Sequence, residues 1–74
     1  MSMISFAQAK ELVLARLRQT MNEMPVSERT RPTRVIGMKP YSILDLIAIV
    51  QRESPEGRSY IFDQAKQLGY TVSG

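Results

Sequence analysis

The side chains best suited to bind a charged ligand are concentrated in one polar segment of the sequence. Between Pro25 and Pro40 the chain has one acidic residue, Glu28, and four basic residues, Arg29, Arg31, Arg34 and Lys39. The rest of the chain has equal numbers of acidic and basic side chains, so the formal net charge of +3 arises here. Arginines spaced along an extended loop can follow a phosphate backbone and displace its counterions. The segment is a candidate nucleic-acid site, and the competing interpretation is a solvated loop whose arginines pair with nearby carboxylates.

The composition gives little support for catalysis or for metal binding. The chain has no histidine and no cysteine, so it lacks the imidazole and thiolate ligands typical of zinc and haem sites. It also lacks cysteine nucleophiles and the usual general base near neutral pH. Glu53 and Glu56 form the closest carboxylate pair flanking a turn, but both lie at predicted helix ends, where acidic residues are common. We therefore expect a protein that is not an enzyme and that binds neither a metal nor a cofactor.

Two predicted helices joined near Ser54 offer a second candidate surface. Two helices with a glycine-containing turn resemble a helix-turn-helix, whose second helix enters the major groove of DNA. The exposed face of this second helix would carry two acidic and two basic side chains, so it has no net charge and suits DNA poorly. These residues, with one serine among them, are Glu56, Arg58, Ser59, Asp63 and Lys66.

The same pair of helices has residues suited to a protein contact. Tyr60, Gln64 and Gln67 form a row on the flank of the second helix, and amphipathic aromatic residues are favoured at interfaces. Ile49, on the preceding helix, falls on the same side as Asp45, where a short chain has little to cover it. We expect these four residues to contact a protein partner or a second copy of the chain. The alternatives are that Ile49 packs beneath a terminus and that Tyr60 only covers a helical turn.

The candidate residues are positioned by a very apolar central helix. Residues 41–54 read YSILDLIAIVQRES, with seven apolar residues in the eight positions after Ser42. Ser42 is placed to cap the helix, Asp45 lies in its first turn, and Pro55 ends it. A helix this apolar is normally surrounded by other elements. We expect it to have more apolar surface than two other helices and a short ribbon can cover.

Two further helices are predicted around this central helix. Ser5 and Gln8 match a capping box that opens an amphipathic helix running to about residue 24. Lys10 falls within its apolar stripe and must extend to the rim or pair with a carboxylate. The last helix begins with Ser54 as cap and Pro55 in the first position, and Gly69 closes it. Its predicted apolar stripe consists of Ile61, Phe62, Ala65 and Leu68.

Short β-prone runs complete the predicted elements. Residues 33–38 form a candidate strand interrupted at Gly37. Residues 70–72 form a short tail that we expect to pair with residues 34–36. Residues 1–4 are interpreted as a loose lead-in. The sequence thus predicts a small α+β domain over residues 1–74, with an amphipathic N-terminal helix, a short strand, a helical hairpin and a short C-terminal strand. The alternative is an all-α three-helix bundle, with both strands as loops.

These features favour a small, non-enzymatic protein-interaction or assembly module that binds a partner, or another copy of itself, through the helical hairpin. The alternative is a nucleic-acid-binding module that uses the basic residues of the 29–39 segment. No apolar run approaches the roughly 18 residues that span a bilayer, and the lack of cysteine fits a reducing compartment. We therefore expect a cytoplasmic protein without membrane contacts.

Overall fold

The structure is a computed structural model that describes residues 2–73, and over this range the chain forms three α-helices and four short strands. The elements follow the chain in the order β1 (Ser2–Ser5), α1 (Phe6–Glu23), a single 3-10 turn (Val26–Glu28), β2 (Arg34–Ile36), β3 (Lys39–Tyr41), α2 (Ile43–Gln51), α3 (Pro55–Gln67) and β4 (Tyr70–Ser73). The predicted α+β fold is confirmed, and the all-α bundle does not form.

Helix α1 begins at the predicted capping box. The Gln8 backbone N–H donates to Ser5 Oγ at 3.1 Å, and the Ser5 backbone N–H donates to Gln8 Oε1 at 2.9 Å, so two otherwise unpaired donors are satisfied. The helix ends at Glu23, just before Pro25. One face of the helix is buried in the core through Ala9, Val13, Leu14 and Leu17.

Helix α2 begins at a second capping box, in which Ser42 and Asp45 exchange hydrogen bonds of 3.0 and 3.2 Å. The backbone hydrogen bond from Ser42 is the main reason that the pKa of Asp45 is lowered. The buried residues of α2 include Ile49, whose side chain is only 4% exposed. The expectation that Ile49 stays uncovered is therefore wrong.

Helix α3 approaches the end of α2 closely, at the backbone of Ile49. A Cβ atom added at Gly57 would overlap the backbone carbonyl of Ile49. Because Gly57 has no side chain, the first turn of α3 can lie directly against the last turn of α2. Most of the apolar surface of α2 is therefore covered, although Leu44 on the same helix stays 42% exposed.

The packing of α3 differs from its predicted apolar stripe. Gly57, Tyr60, Ile61 and Ala65 are buried, whereas Phe62 is 39% exposed. The buried face is therefore rotated about the helix axis toward Tyr60, which sequence periodicity placed on the outer flank. Gly57, Ile61 and Ala65 are buried and lie four positions apart on one helical row, so this row faces the core. Gly69 closes α3 with a φ of 89°, as predicted.

The strand pairing was predicted incorrectly. Strand β4 does not pair with residues 34–36; it pairs in parallel with β1, with Ser2 opposite Tyr70 and Ser5 opposite Ser73. Residues 2–4 are thus part of a strand, and Met1 lies outside the described residues. Residues 34–36 instead form an antiparallel hairpin with β3, turning at Gly37 with a φ of 64°. A hairpin needs only a local turn, so this pairing prevails over the distant tail.

Candidate protein-interaction surface

The four basic residues of the 29–39 segment do not form one unpaired surface. Arg31 lies 3.6 Å from the Glu28 carboxylate. Arg34 lies 3.7 Å from the Asp63 carboxylate, and its guanidinium stands over the Tyr60 ring at 4.9 Å. Arg29 is half-buried, and Lys39 is exposed. Two of the predicted phosphate contacts are therefore occupied by carboxylates of the same chain.

The four residues predicted to contact a protein are also separated by the fold. Tyr60 is 8% exposed, and its burial raises the pKa of its hydroxyl. Gln64 is half-buried in a small cleft next to Tyr60. Gln67 is exposed, and its side-chain amide donates to Asp63 at 3.3 Å. With Ile49 and Tyr60 in the core, these four residues cannot act together as an exposed contact.

A different candidate contact is an aromatic pair at the surface, formed by Phe6 and Phe62. The rings of Phe6 and Phe62 lie 5.6 Å apart with an interplanar angle of 44°, so α1 and α3 meet through this contact. The Arg58 guanidinium lies 5.4 Å from the centre of the Phe6 ring. Phe62 is the partner that remains more exposed to solvent. The pair thus presents an anchored aromatic ring at the surface.

The Phe62 ring forms one wall of a groove between α3 and β4. The groove has a volume of about 370 Å³ and is lined by Phe62, Lys66, Tyr70, Thr71 and Val72. Its lining is mainly apolar, and Lys66 is its one charged lining residue. Tyr70 and Val72 are half-buried against the core, while the alternate residues of β4 face outward. We call this depression the α3–β4 groove.

The strand that forms the other wall of this groove lies at the edge of a sheet. Among residues 2–73, β4 has only β1 beside it, because these two strands form a complete two-stranded sheet. The α3–β4 groove therefore lies between α3 and the outer strand of a two-stranded sheet.

A larger groove of about 700 Å³ lies along α1, but it already contains an internal ion pair. The Lys10 ammonium donates to Glu53 Oε2 at 2.7 Å and to the Gln51 carbonyl at 3.1 Å. This hydrogen bond from Lys10 is the main reason that the pKa of Glu53 is lowered. Of the two alternatives predicted for Lys10, extension to the rim or pairing with a carboxylate, the structure has the ion pair with Glu53.

Sequence reasoning missed Phe62 because it assigned this residue to the core of α3. One signal could have located it. Gly57 is the only residue of α3 without a side chain, and it shares a helical row with Ile61 and Ala65. A close contact along that row turns Phe62 toward the rim of the buried face.

The described part of the chain, residues 2–73, contains no group of three or more acidic side chains that could hold a metal ion. Within the same residues, every helix is too short or too polar to cross a membrane. No protein-family model matches the sequence, and the comparisons found no similar curated protein and no similar solved structure. Any proposal for its function must therefore come from the surfaces of the chain itself.

Proposed function

We propose that this chain is a non-enzymatic protein-interaction module that binds a segment of another protein in the α3–β4 groove. The observation that carries the proposal is the position of Phe62, an aromatic residue held by Phe6 at the mouth of an apolar groove between α3 and β4. Aromatic residues that are already fixed in position are typical anchors of protein interfaces.

Protein interaction is the class of function that the sequence suggested, but the contact surface proposed from the structure is a different one. Ile49 and Tyr60 are buried in the core, so they do not support docking through the faces named for them. Phe62 lies on the same helical hairpin, on the side of α3 next to β4. The exposed aromatic residue that supports a protein contact, Phe62, is therefore still on α3.

Nucleic-acid binding through the 29–39 segment has weaker support. A phosphate would have to compete with the Glu28 carboxylate for Arg31, and with Asp63 and the Tyr60 ring for Arg34. Lys39 is exposed and makes no ion pair among residues 2–73, but one lysine gives little affinity for a phosphate backbone. A titration of labelled duplex and single-stranded DNA at low salt, where phosphate attraction is greatest, would test this alternative directly.

The proposal is tested by selecting displayed random peptides on the immobilised chain and then measuring their binding to three purified forms. These are the wild type, Phe62→Asp and Val26→Asp. Val26 is a matched control because it is also an exposed apolar residue, at 75%, and it does not line the groove. We expect Phe62→Asp to weaken binding roughly thirtyfold, which corresponds to the loss of an aromatic anchor worth about 2 kcal/mol.

Thermal unfolding of each variant separates lost binding from lost folding, because Phe62 also contacts Phe6. Lys66→Glu provides a second variant that leaves the aromatic pair unchanged. The proposal is wrong if the selection yields no binding peptides. It is also wrong if folded Phe62→Asp binds the selected peptides as tightly as Val26→Asp does.

A further inference from the structure

We propose that a small polar cleft between α1 and α3 binds a phosphate group through the side chains of Arg16, Tyr60 and Gln64. The ligand is either free phosphate or the phosphate of a monoester, which present the same oxygens to the cleft. The cleft shares no lining residue with the α3–β4 groove, so this inference goes beyond the proposed function and is independent of it.

The cleft has two helical walls and an apolar floor. Its α1 wall consists of Val13, Arg16, Leu17 and Thr20, and its α3 wall consists of Tyr60 and Gln64. Val13 and Leu17 are buried in the core, so the polar groups lie above them. The volume of the cleft is about 80 Å³, whereas pockets for drug-sized ligands have roughly 300–1,000 Å³. The cleft therefore suits a single compact group of atoms.

The hydrogen-bond donors of the cleft have no acceptor among residues 2–73. Arg16 is exposed and makes no ion pair there. The Tyr60 hydroxyl, on a residue that is only 8% exposed, and the amide of half-buried Gln64 make no hydrogen bond there either. The Thr20 hydroxyl, by contrast, donates to the Arg16 carbonyl at 3.0 Å. Because buried polar groups normally have a partner, the three free donors favour an acceptor from outside the chain.

The charges around Tyr60 favour an anion as that acceptor. Burial is the main reason that the pKa of the Tyr60 hydroxyl is raised, so the hydroxyl keeps its proton at neutral pH and can donate it. Arg34 and Arg16 oppose this shift, so both guanidinium groups lie within electrostatic reach of the hydroxyl. Asp63 acts in the opposite sense, but it is paired with Arg34 at 3.7 Å. Two arginines against one aspartate give this region a net positive charge.

The arrangement of the donors favours phosphate over carboxylate. The planar fork of Arg16 can donate to two oxygens at once, and Tyr60 and Gln64 approach from the other wall. A carboxylate has only two oxygens, whereas a phosphate monoester has three terminal oxygens and a charge of about −1.5 to −2 at pH 7. Donors on two walls can therefore contact different oxygens of one phosphate group.

The first test is an NMR titration of the isotope-labelled chain with inorganic phosphate at pH 7 and constant ionic strength. We expect saturable shifts of the Gln64 side-chain amide and the Thr20 backbone amide, with a Kd of roughly 1–10 mM for a few charge-assisted hydrogen bonds. Acetate should bind at least about fivefold more weakly. Shifts that do not saturate, or that are confined to residues 25–40, would overturn the proposal. Acetate that binds as tightly as phosphate would do the same.

The second test uses Arg16→Gln and Arg18→Gln as a matched pair. Both remove one arginine charge from an exposed position on α1, and only Arg16 lines the cleft. Arg16→Gln should weaken phosphate binding roughly tenfold, because hydrogen bonds to a charged group are lost. Arg18→Gln should weaken it less than about twofold, since its charge is screened by salt. Equal losses for the two variants would show that phosphate responds only to net charge, and the proposal would be wrong.

Tyr60→Phe tests the α3 wall of the cleft. It keeps the ring beneath the Arg34 guanidinium and removes only the hydroxyl, so we expect phosphate binding to weaken roughly fivefold. Thermal unfolding shows whether each variant is folded. A folded Tyr60→Phe variant that binds phosphate as the wild type does would contradict the assignment of this hydroxyl to the site.

A comparison of inorganic phosphate with O-phosphoserine identifies the source of the phosphate group. Binding of O-phosphoserine that is equal or tighter would indicate a phosphorylated molecule, and clearly tighter binding of inorganic phosphate would indicate the free ion. Failure of both to bind would overturn the proposal. Phe62→Asp should bind phosphate as the wild type does, because Phe62 does not line the cleft. The outcome is thus separate from that of the α3–β4 groove.

Discussion

The Lys10 ammonium lies 2.7 Å from the Glu53 carboxylate and so connects α1 to the turn between α2 and α3. Glu53 has a φ of 53°, a conformation that residues other than glycine rarely adopt. The same ammonium also donates to the Gln51 carbonyl at the end of α2. One lysine thus holds the turn that brings Gly57 against Ile49.

This ion pair predicts a specific pH dependence. Because the pKa of Glu53 is lowered in the folded state, its carboxylate stabilises the fold above its ordinary pKa of 4.5. This stabilisation is lost as the pH falls through the lower, folded-state value. We therefore expect Glu53→Gln to be less stable than the wild type at pH 7, with the difference shrinking as the pH falls below about 4.5. Urea unfolding of both proteins at several pH values measures this difference in the free energy of unfolding.

Glu11→Gln is the matched control for this experiment, because Glu11 is an exposed neighbour of Lys10 on α1 and makes no ion pair among the described residues. A Glu53→Gln variant whose stability tracks the wild type at every pH would show that the ion pair contributes nothing to the fold.

Replacement of Gly57 should be costly even though alanine favours helices. Alanine gains up to about 1 kcal/mol of helix propensity over glycine. At this position its Cβ would overlap the Ile49 carbonyl, so α2 and α3 would have to separate. We expect Gly57→Ala to lower the free energy of unfolding by about 1–3 kcal/mol. Ser59→Ala, at an exposed site on the same helix, should change it by less than about 0.5 kcal/mol. A Gly57→Ala variant as stable as Ser59→Ala would show that the contact is loose.

Truncation of a large, fully buried side chain tests how low the stability of the domain is. Ile61 is fully buried, and Ile→Ala substitutions in cores cost about 2–5 kcal/mol. A domain of this size has a total stability of only a few kcal/mol. We expect Ile61→Ala to be largely unfolded by circular dichroism, and Ile61→Val to stay folded with a loss of about 0.5–1.5 kcal/mol. A cooperative, near-native melting curve for Ile61→Ala would contradict this prediction.

The first strand offers a test in which two adjacent residues face opposite ways. Ile4 lies opposite Val72 and packs on the core, whereas Met3 is 70% exposed. We expect Ile4→Asp to lower the unfolding free energy by more than about 1 kcal/mol, because a charge would be placed against the core. Met3→Asp should change it by less than about 0.5 kcal/mol. Similar losses for both variants in chemical denaturation would mean that β1 does not pack as described.

The features that the sequence predicted correctly depend on neighbouring residues. Ser5 and Ser42 cap their helices through partners three positions away, and Gly69 closes α3 by its own backbone conformation. Such interactions can be inferred from spacing alone. For Lys10, its place in an apolar stripe indicated either extension to the rim or a carboxylate partner, but it did not indicate which residue that partner would be.

The features that the sequence did not predict depend on residues far apart in the chain. Nothing near Ile4 indicates that it lies opposite Val72, and nothing near Ile49 indicates that Gly57 covers its backbone. Gly57 was a signal for the packing of α3, but the position of the strand that forms the other wall of the groove could not be predicted locally, because β4 pairs with the distant β1.

The pairing of β1 with β4 also has a consequence for biosynthesis. A ribosome makes β1 first and must translate through Ser73 before the partner strand exists. Until then, Met3 and Ile4 are exposed in a nascent chain that can form helices but cannot complete its sheet. Any factor that protects this emerging polypeptide would have to shield β1 until β4 has been made.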